Sequence, residues 1–146
     1  MLASIVLFVC LVLVFILVHE MGHVITAKIF GLNIIKMGIK IVPIPHAFII
    51  VDSTEKKFVQ LLFYFSGFIV TIAVFVGLWI ANLLAYKLIY YAICFQIVVD
   101  SNPFFSDFSL AFPNNYRFST LWYVHFTLWA LLIITFISLK ICHSCL

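Results

Sequence analysis

From Leu2 to Val18 the chain carries no charged residue, and a helical crossing of a bilayer needs about 20 mostly apolar residues. Continued to Phe30, this run predicts a first crossing, closed by Gly31 in the manner of a helix C-cap. The pattern then changes. Leu32 to Asp52 is rich in β-branched residues, with Pro43 and Pro45 at its middle, which predicts two short strands joined by a proline turn and dipping into the membrane. The polar stretch Asp52 to Lys57 follows, then further apolar runs at Phe58 to Tyr86, Leu88 to Phe105 and Thr120 to Cys142, the last two separated by a loop at Ser109 to Ser119. Pro103 predicts a break or kink in the third run, freeing backbone groups that must find partners inside the protein. No internal repeat is present.

Composition agrees with this pattern. The 146 residues are 66% hydrophobic, 18% aromatic and 9% charged, too little polar surface to coat a soluble globule. The expected fold class is an all-α integral membrane protein with about four transmembrane helices and a short membrane-associated hairpin after the first. One membrane domain is expected over residues 1–146, its core at about 2–110 and an additional helix at about 120–142. The first run lacks a basic n-region and a small-residue cleavage site, so it is expected to be retained rather than removed as a signal peptide.

Charge adds an orientation. With alternating crossings, Lys28, Lys36, Lys40, Lys56, Lys57 and Arg117 fall on one side, leaving Lys87 and Lys140, expected interface anchors, on the other. The positive-inside rule puts the N-terminus outside and the Lys28 to Lys57 loop in the cytoplasm. Cys10 and Cys94 lie inside apolar segments, and Cys142 and Cys145 near the C-terminus make only a weak metal or pairing signal. Phe63, Phe65, Phe68, Trp79, Trp122, Tyr123 and Trp129 are expected to face lipid or form interfacial belts. Ser66, Gly67, Thr71, Gly77 and Ala81 are small enough to permit close helix approach, although Gly77 equally fits the higher glycine content of membrane helices.

The unusual chemistry lies in His19-Glu20-Met21-Gly22-His23, near the end of the first crossing. Ionisable groups at membrane depth are costly and tend to be functional. Residues four apart share a helix face, so His19 and His23 can offer two imidazole nitrogens to one metal. Glu20, rotated by about 100°, can reach a water at that metal. Zinc lowers the pKa of such a water toward about 7, and a glutamate can take its proton and pass it to a leaving amine. Gly22 opens space beside the metal for a substrate backbone or a neighbouring helix. Catalytic zinc usually takes three protein ligands, and the candidates for the third are Asp100, Asp107, His46, His125 and His143. Depth favours Asp107, at the cytoplasmic end of the third crossing, with Asp100 about two turns deeper as second choice and His46 better suited to a substrate loop.

HEMGHVITAKIFGL resembles the first core helix of the site-two proteases, intramembrane zinc metalloproteases with a three-helix catalytic core, in which HExxH is followed by a basic residue and a closing glycine. Ser66 to Thr71 keeps only the glycine of that family's second-helix element, with Phe68 and Thr71 in place of its proline and asparagine. Asn102-Pro103-Phe104-Phe105-Ser106-Asp107 is similar to its third-helix element, one residue short and with Phe108 where glycine is usual. The resemblance implies a three-helix metalloprotease core, Zn2+ held by His19, His23 and Asp107, Glu20 as general base and Asn102 in substrate positioning. It further implies a transmembrane or membrane-associated peptide or protein as substrate; the strand-prone segment Ile34 to Val51 is expected to pair with such a substrate, once unwound, by edge addition.

The expected partners are that substrate, the lipid bilayer and a regulatory membrane protein controlling access; no nucleic acid is expected. Small size fits a bacterial cell membrane. The alternatives are a non-catalytic membrane relative that binds a peptide as an immunity or export accessory and keeps HEMGH as a structural metal site, and a metal-handling membrane protein.

Overall fold

The computed structural model describes residues 2–40, 46–52, 56–104, 106–112 and 116–144. The chain forms two compact units, Met1–Ile97 and Val98–Leu146.

The first unit begins with α1, Leu2–Ile29. Gly31, at φ +65°, ends it. The Leu32 N–H bonds the Ala27 carbonyl at 2.8 Å and the Gly31 N–H bonds that of Lys28 at 3.3 Å, the paired bonds of a Schellman cap, which needs a residue comfortable at positive φ. The predicted hairpin follows as β1 (Ile34–Lys40) and β2 (His46–Val51). They pair antiparallel from Lys36 opposite Ile50 to Lys40 opposite His46, with an irregularity between Ile34 and Lys36. Its base is closed by the Asp52 N–H on the Asn33 carbonyl at 2.9 Å, and β2 packs on α1. The proline turn, Pro43 and Pro45, lies outside the described residues.

Next comes α2, Lys57–Ile80. It ends six residues before the predicted limit of Tyr86, because Asn82 adopts the left-handed region at φ 57° and a 3-10 turn at Leu83–Ala85 leads on. On α1 the buried positions are Phe15, His19, Gly22, His23 and Ala27, and on α2 Val59, Phe63, Ser66, Gly67 and Thr71. Each set is a single stripe at helical spacing, and α1 and α2 pack together. The remaining α1 side chains are largely exposed and apolar, Leu7, Leu13, Leu17 and Met21 among them, a surface suited to hydrocarbon. The last helix to begin in this unit, α3 (Lys87–Asp100), has Tyr90, Ala92, Ile93, Cys94, Gln96 and Ile97 buried, and its Phe95 meets Phe8 edge to face at 6.3 Å.

The second unit holds the end of α3, a short α4 (Asp107–Ala111) where a loop was expected, and α5 (Thr120–Ser144). Among the described residues three helices are long and apolar enough to cross a membrane: Leu2–Ile29, Lys57–Ile80 and Thr120–Leu139. The expected third crossing is not among them: α3 has 14 residues, about 21 Å at 1.5 Å per residue, against a hydrocarbon core of about 30 Å. Its helical hydrogen bonding stops just before Pro103, which has no N–H to give.

Candidate metal centre

The two histidines of α1 fall on its buried stripe, 6% and 4% exposed respectively for His19 and His23. Their outer ring nitrogens are both occupied by α2. His23 Nδ1–H donates to the Phe63 carbonyl at 2.7 Å and lies 3.2 Å from Ser66 Oγ, whose own hydroxyl is given to that carbonyl at 2.7 Å. Thr71 Oγ1–H is given to the Gly67 carbonyl at 3.1 Å, so at 3.4 Å its oxygen accepts from His19 Nδ1–H. A carbonyl only accepts and a spent hydroxyl can only accept, so both imidazoles carry the proton on Nδ1. In the neutral ring Nε2 then presents a lone pair.

These two Nε2 atoms stand 3.2 Å apart. At that distance they can share one proton if one ring is doubly protonated, or face one ion if neither Nε2 carries a proton. Two nitrogens bound at 2.0–2.1 Å to one tetrahedral ion would stand roughly 3.3–3.4 Å apart. Metal-bound histidines characteristically give their other N–H to a carbonyl, hydroxyl or carboxylate, which fixes tautomer and ring direction. Thus the donor geometry fits a metal ion. Among the described residues, His19, His23 and Asp107 are a group that could hold one.

Two glycines make the arrangement sterically feasible. A Cβ on Gly67 would come within 2.6 Å of His23 Nε2 and closer still to His19 Nε2, so any side chain there would occupy the space that the imidazoles use. At Gly22 a Cβ would meet the Ser66 carbonyl oxygen at 2.6 Å and Val70 Cγ2 at 3.0 Å. Gly22 thus admits the backbone of the neighbouring helix α2, one of the two uses expected of it. A Cβ on Gly77, by contrast, would meet nothing within 4 Å, which fits the compositional explanation.

Glu20 is half-buried on α1, one residue from His19. Asp100 is buried at the end of α3 and Asp107 is half-buried at the start of α4. Asn102 is buried, its Oδ1 accepting the Phe104 N–H at 2.8 Å and its carbonyl accepting the Ser106 hydroxyl. His46 opens β2. His125 donates from Nε2 to the Ser101 carbonyl at 2.9 Å and accepts the Tyr116 hydroxyl at Nδ1, so both its nitrogens serve bonds within the second unit rather than a metal. The side chain of His143 lies outside the described residues.

Phe63, Ser66, Gly67 and Thr71 belong to the site, although their places in an apolar run suggest only lipid-facing or packing roles. Phe63 is 5% exposed, its ring 5.1 Å from that of His23. Trp122 is likewise buried, not lipid-facing, with Nε1–H on the Pro103 carbonyl at 3.2 Å. Trp79 and Tyr123 are exposed as expected. The signal in the sequence is a pair of hydroxyl residues, Ser66 and Thr71, inside an apolar span, where polar side chains need partners. Compared with known proteins, the chain matches no family model, no curated protein and no solved structure.

Proposed function

We propose that the protein is an intramembrane zinc metalloprotease of the site-two protease kind, cleaving transmembrane or membrane-associated peptides. The observation that carries this is the pair of Nε2 atoms held 3.2 Å apart by Nδ1 contacts to α2, one residue from a glutamate. His19, His23 and Asp107 would hold the ion. When bound, zinc supplies Lewis acidity, making water a nucleophile near neutral pH and polarising the carbonyl it attacks.

Glu20 takes the proton from the attacking water and returns it to the leaving amine, so one peptide bond and one water become a carboxylic acid and an amine. Gly67 keeps the space before the histidines clear of any side chain. Ser66 and Thr71 keep the imidazoles in the tautomer that presents Nε2. The substrate must be extended at the cleaved bond, because a helical carbonyl is engaged by its own hydrogen bond. The strands β1 and β2 offer an edge to which such a segment can add. Orientation with the N-terminus outside rests on the lysine distribution, and a bacterial cell membrane on the small size.

The test uses the full chain in liposomes with a pool of single-span peptides, cleavage being read by mass spectrometry. Glu20→Gln should retain zinc and lose cleavage by about 10²–10⁴-fold; Ile49→Pro, which breaks β2, should impair cleavage with zinc content intact. Cleavage by Glu20→Gln at the wild-type rate would overturn the reading.

A further inference from the structure

Where α3 ends at Asp100, just ahead of Pro103, the backbone carbonyls of its last turn and of the segment that follows have left the helical ladder. In an apolar environment each such group needs a partner. The structure supplies four from α5 and the residues before it. Trp129 Nε1–H reaches the Val98 carbonyl at 2.9 Å, His125 Nε2–H that of Ser101 at 2.9 Å, Trp122 Nε1–H that of Pro103 at 3.2 Å, and Arg117 Nη2–H that of Phe104 at 2.9 Å. Three of these donors lie at positions 122, 125 and 129, a spacing of three and four that puts them on one face of α5. The Tyr116 hydroxyl on His125 Nδ1 selects the tautomer whose Nε2 carries the proton. Pro103 is fully buried, and Phe104 packs edge to face on Trp122 and Trp129 at 5.6 and 6.4 Å.

We infer that α5 is a brace for the broken-helix segment: its donor ladder fixes residues 98–104 through their carbonyls and thereby sets the position of Asp107, three residues further on. This rests on the reading of Asp107 as a metal ligand. His125 and Trp129 are then positioning residues, acting on the metal only through Asp107. An ordinary packing helix would need apolar contact alone, whereas here the side chains on the contact face are matched one to one with freed carbonyls.

The experiment measures zinc affinity by competition with a chromogenic chelator, and hydrogen exchange of residues 98–107 by mass spectrometry, both on the full chain in detergent. His125→Phe and Trp129→Phe keep an aromatic ring and remove only the donor; His125→Gln restores an N–H for Ser101. The inference expects faster exchange in both Phe variants, zinc bound about 10–100-fold more weakly, and recovery of most of the affinity in His125→Gln. In an Asp107→Asn background, His125→Phe should weaken zinc no further, since its effect passes through Asp107. Affinity unchanged in the Phe variants beside a zinc-binding wild type would overturn the brace and leave the metal reading intact. An equal loss in the Asp107→Asn background would also overturn it, by showing a general effect on the fold. A wild type that binds no zinc would instead overturn the metal reading, and the positioning role with it.

Discussion

The buried face between α1 and α2 and the turn that follows α3 handle the same difficulty, polar groups in apolar surroundings, in opposite ways. Along α1 and α2 the backbone is satisfied within each helix, so the polar atoms needing partners are side chains, His19, His23, Ser66 and Thr71, and they meet because Gly22 and Gly67 remove the bulk between them. From the last turn of α3 to Pro103 the groups needing partners are backbone carbonyls, and long side chains from a distant helix reach them. Regular helices therefore leave the side chains to define a site, whereas a broken helix consumes side chains to hold its own shape.

The largest effect expected on this contrast comes from Gly67. Gly67→Ala places a methyl group against both Nε2 atoms and should remove zinc binding, read as zinc per chain, while thermal unfolding changes little because the rings can swing. Binding at the wild-type level would show that the imidazoles do not converge as described. Gly22→Ala should do the reverse. Its Cβ meets the backbone of α2, so it should lower stability by about 1–3 kcal/mol, measured by unfolding in detergent. Gly77→Ala is the matched control, with nothing near its Cβ, and should be neutral or stabilising by up to about 1 kcal/mol.

A smaller effect is expected from the groups behind the histidines. Thr71→Val and Ser66→Ala should each weaken zinc about 10–100-fold without abolishing it, and Thr71→Ser, which keeps the hydroxyl, should stay near wild type. Equal loss in Thr71→Ser would make Thr71 a packing residue. The smallest effect lies in the second unit. Burial raises the Tyr116 phenol above its usual pKa, so the neutral phenol contributes stability that is fully present below the unfolded value of about 10 and is lost as pH rises through the folded value. Tyr116→Phe should flatten that alkaline loss of stability, and an unchanged pH profile would show that the phenol and its bond to His125 contribute nothing.

The same contrast governs what is legible in the sequence. Three helices long and apolar enough to cross a membrane, the hairpin and the Gly31 cap follow from hydrophobic runs, β-branched residues and one glycine, all local signals. The HEMGH histidines share a face because four residues make about one turn, and that too is local. What the sequence pattern does not carry depends on contacts distant along the chain. Trp122 and Trp129 look like interfacial aromatics until their indole N–H groups are matched to carbonyls some 20 to 30 residues earlier, and His125 looks like a spare ligand until Ser101 and Tyr116 take both its nitrogens. The early end of α2 at Ile80 turns on the left-handed conformation of Asn82, for which the apolar run from Phe58 to Tyr86 gives no warning.

The central claim, that His19 and His23 together with Asp107 hold one zinc, is tested most directly by elemental analysis of the detergent-purified protein. Wild type, Glu20→Gln, His23→Ala, Asp107→Asn and Asp100→Asn should be measured side by side. The account predicts about one zinc per chain in wild type, Glu20→Gln and Asp100→Asn, with loss in His23→Ala and Asp107→Asn. Loss in Asp100→Asn with retention in Asp107→Asn would contradict the ligand set, and a wild type without zinc would contradict the metal centre itself.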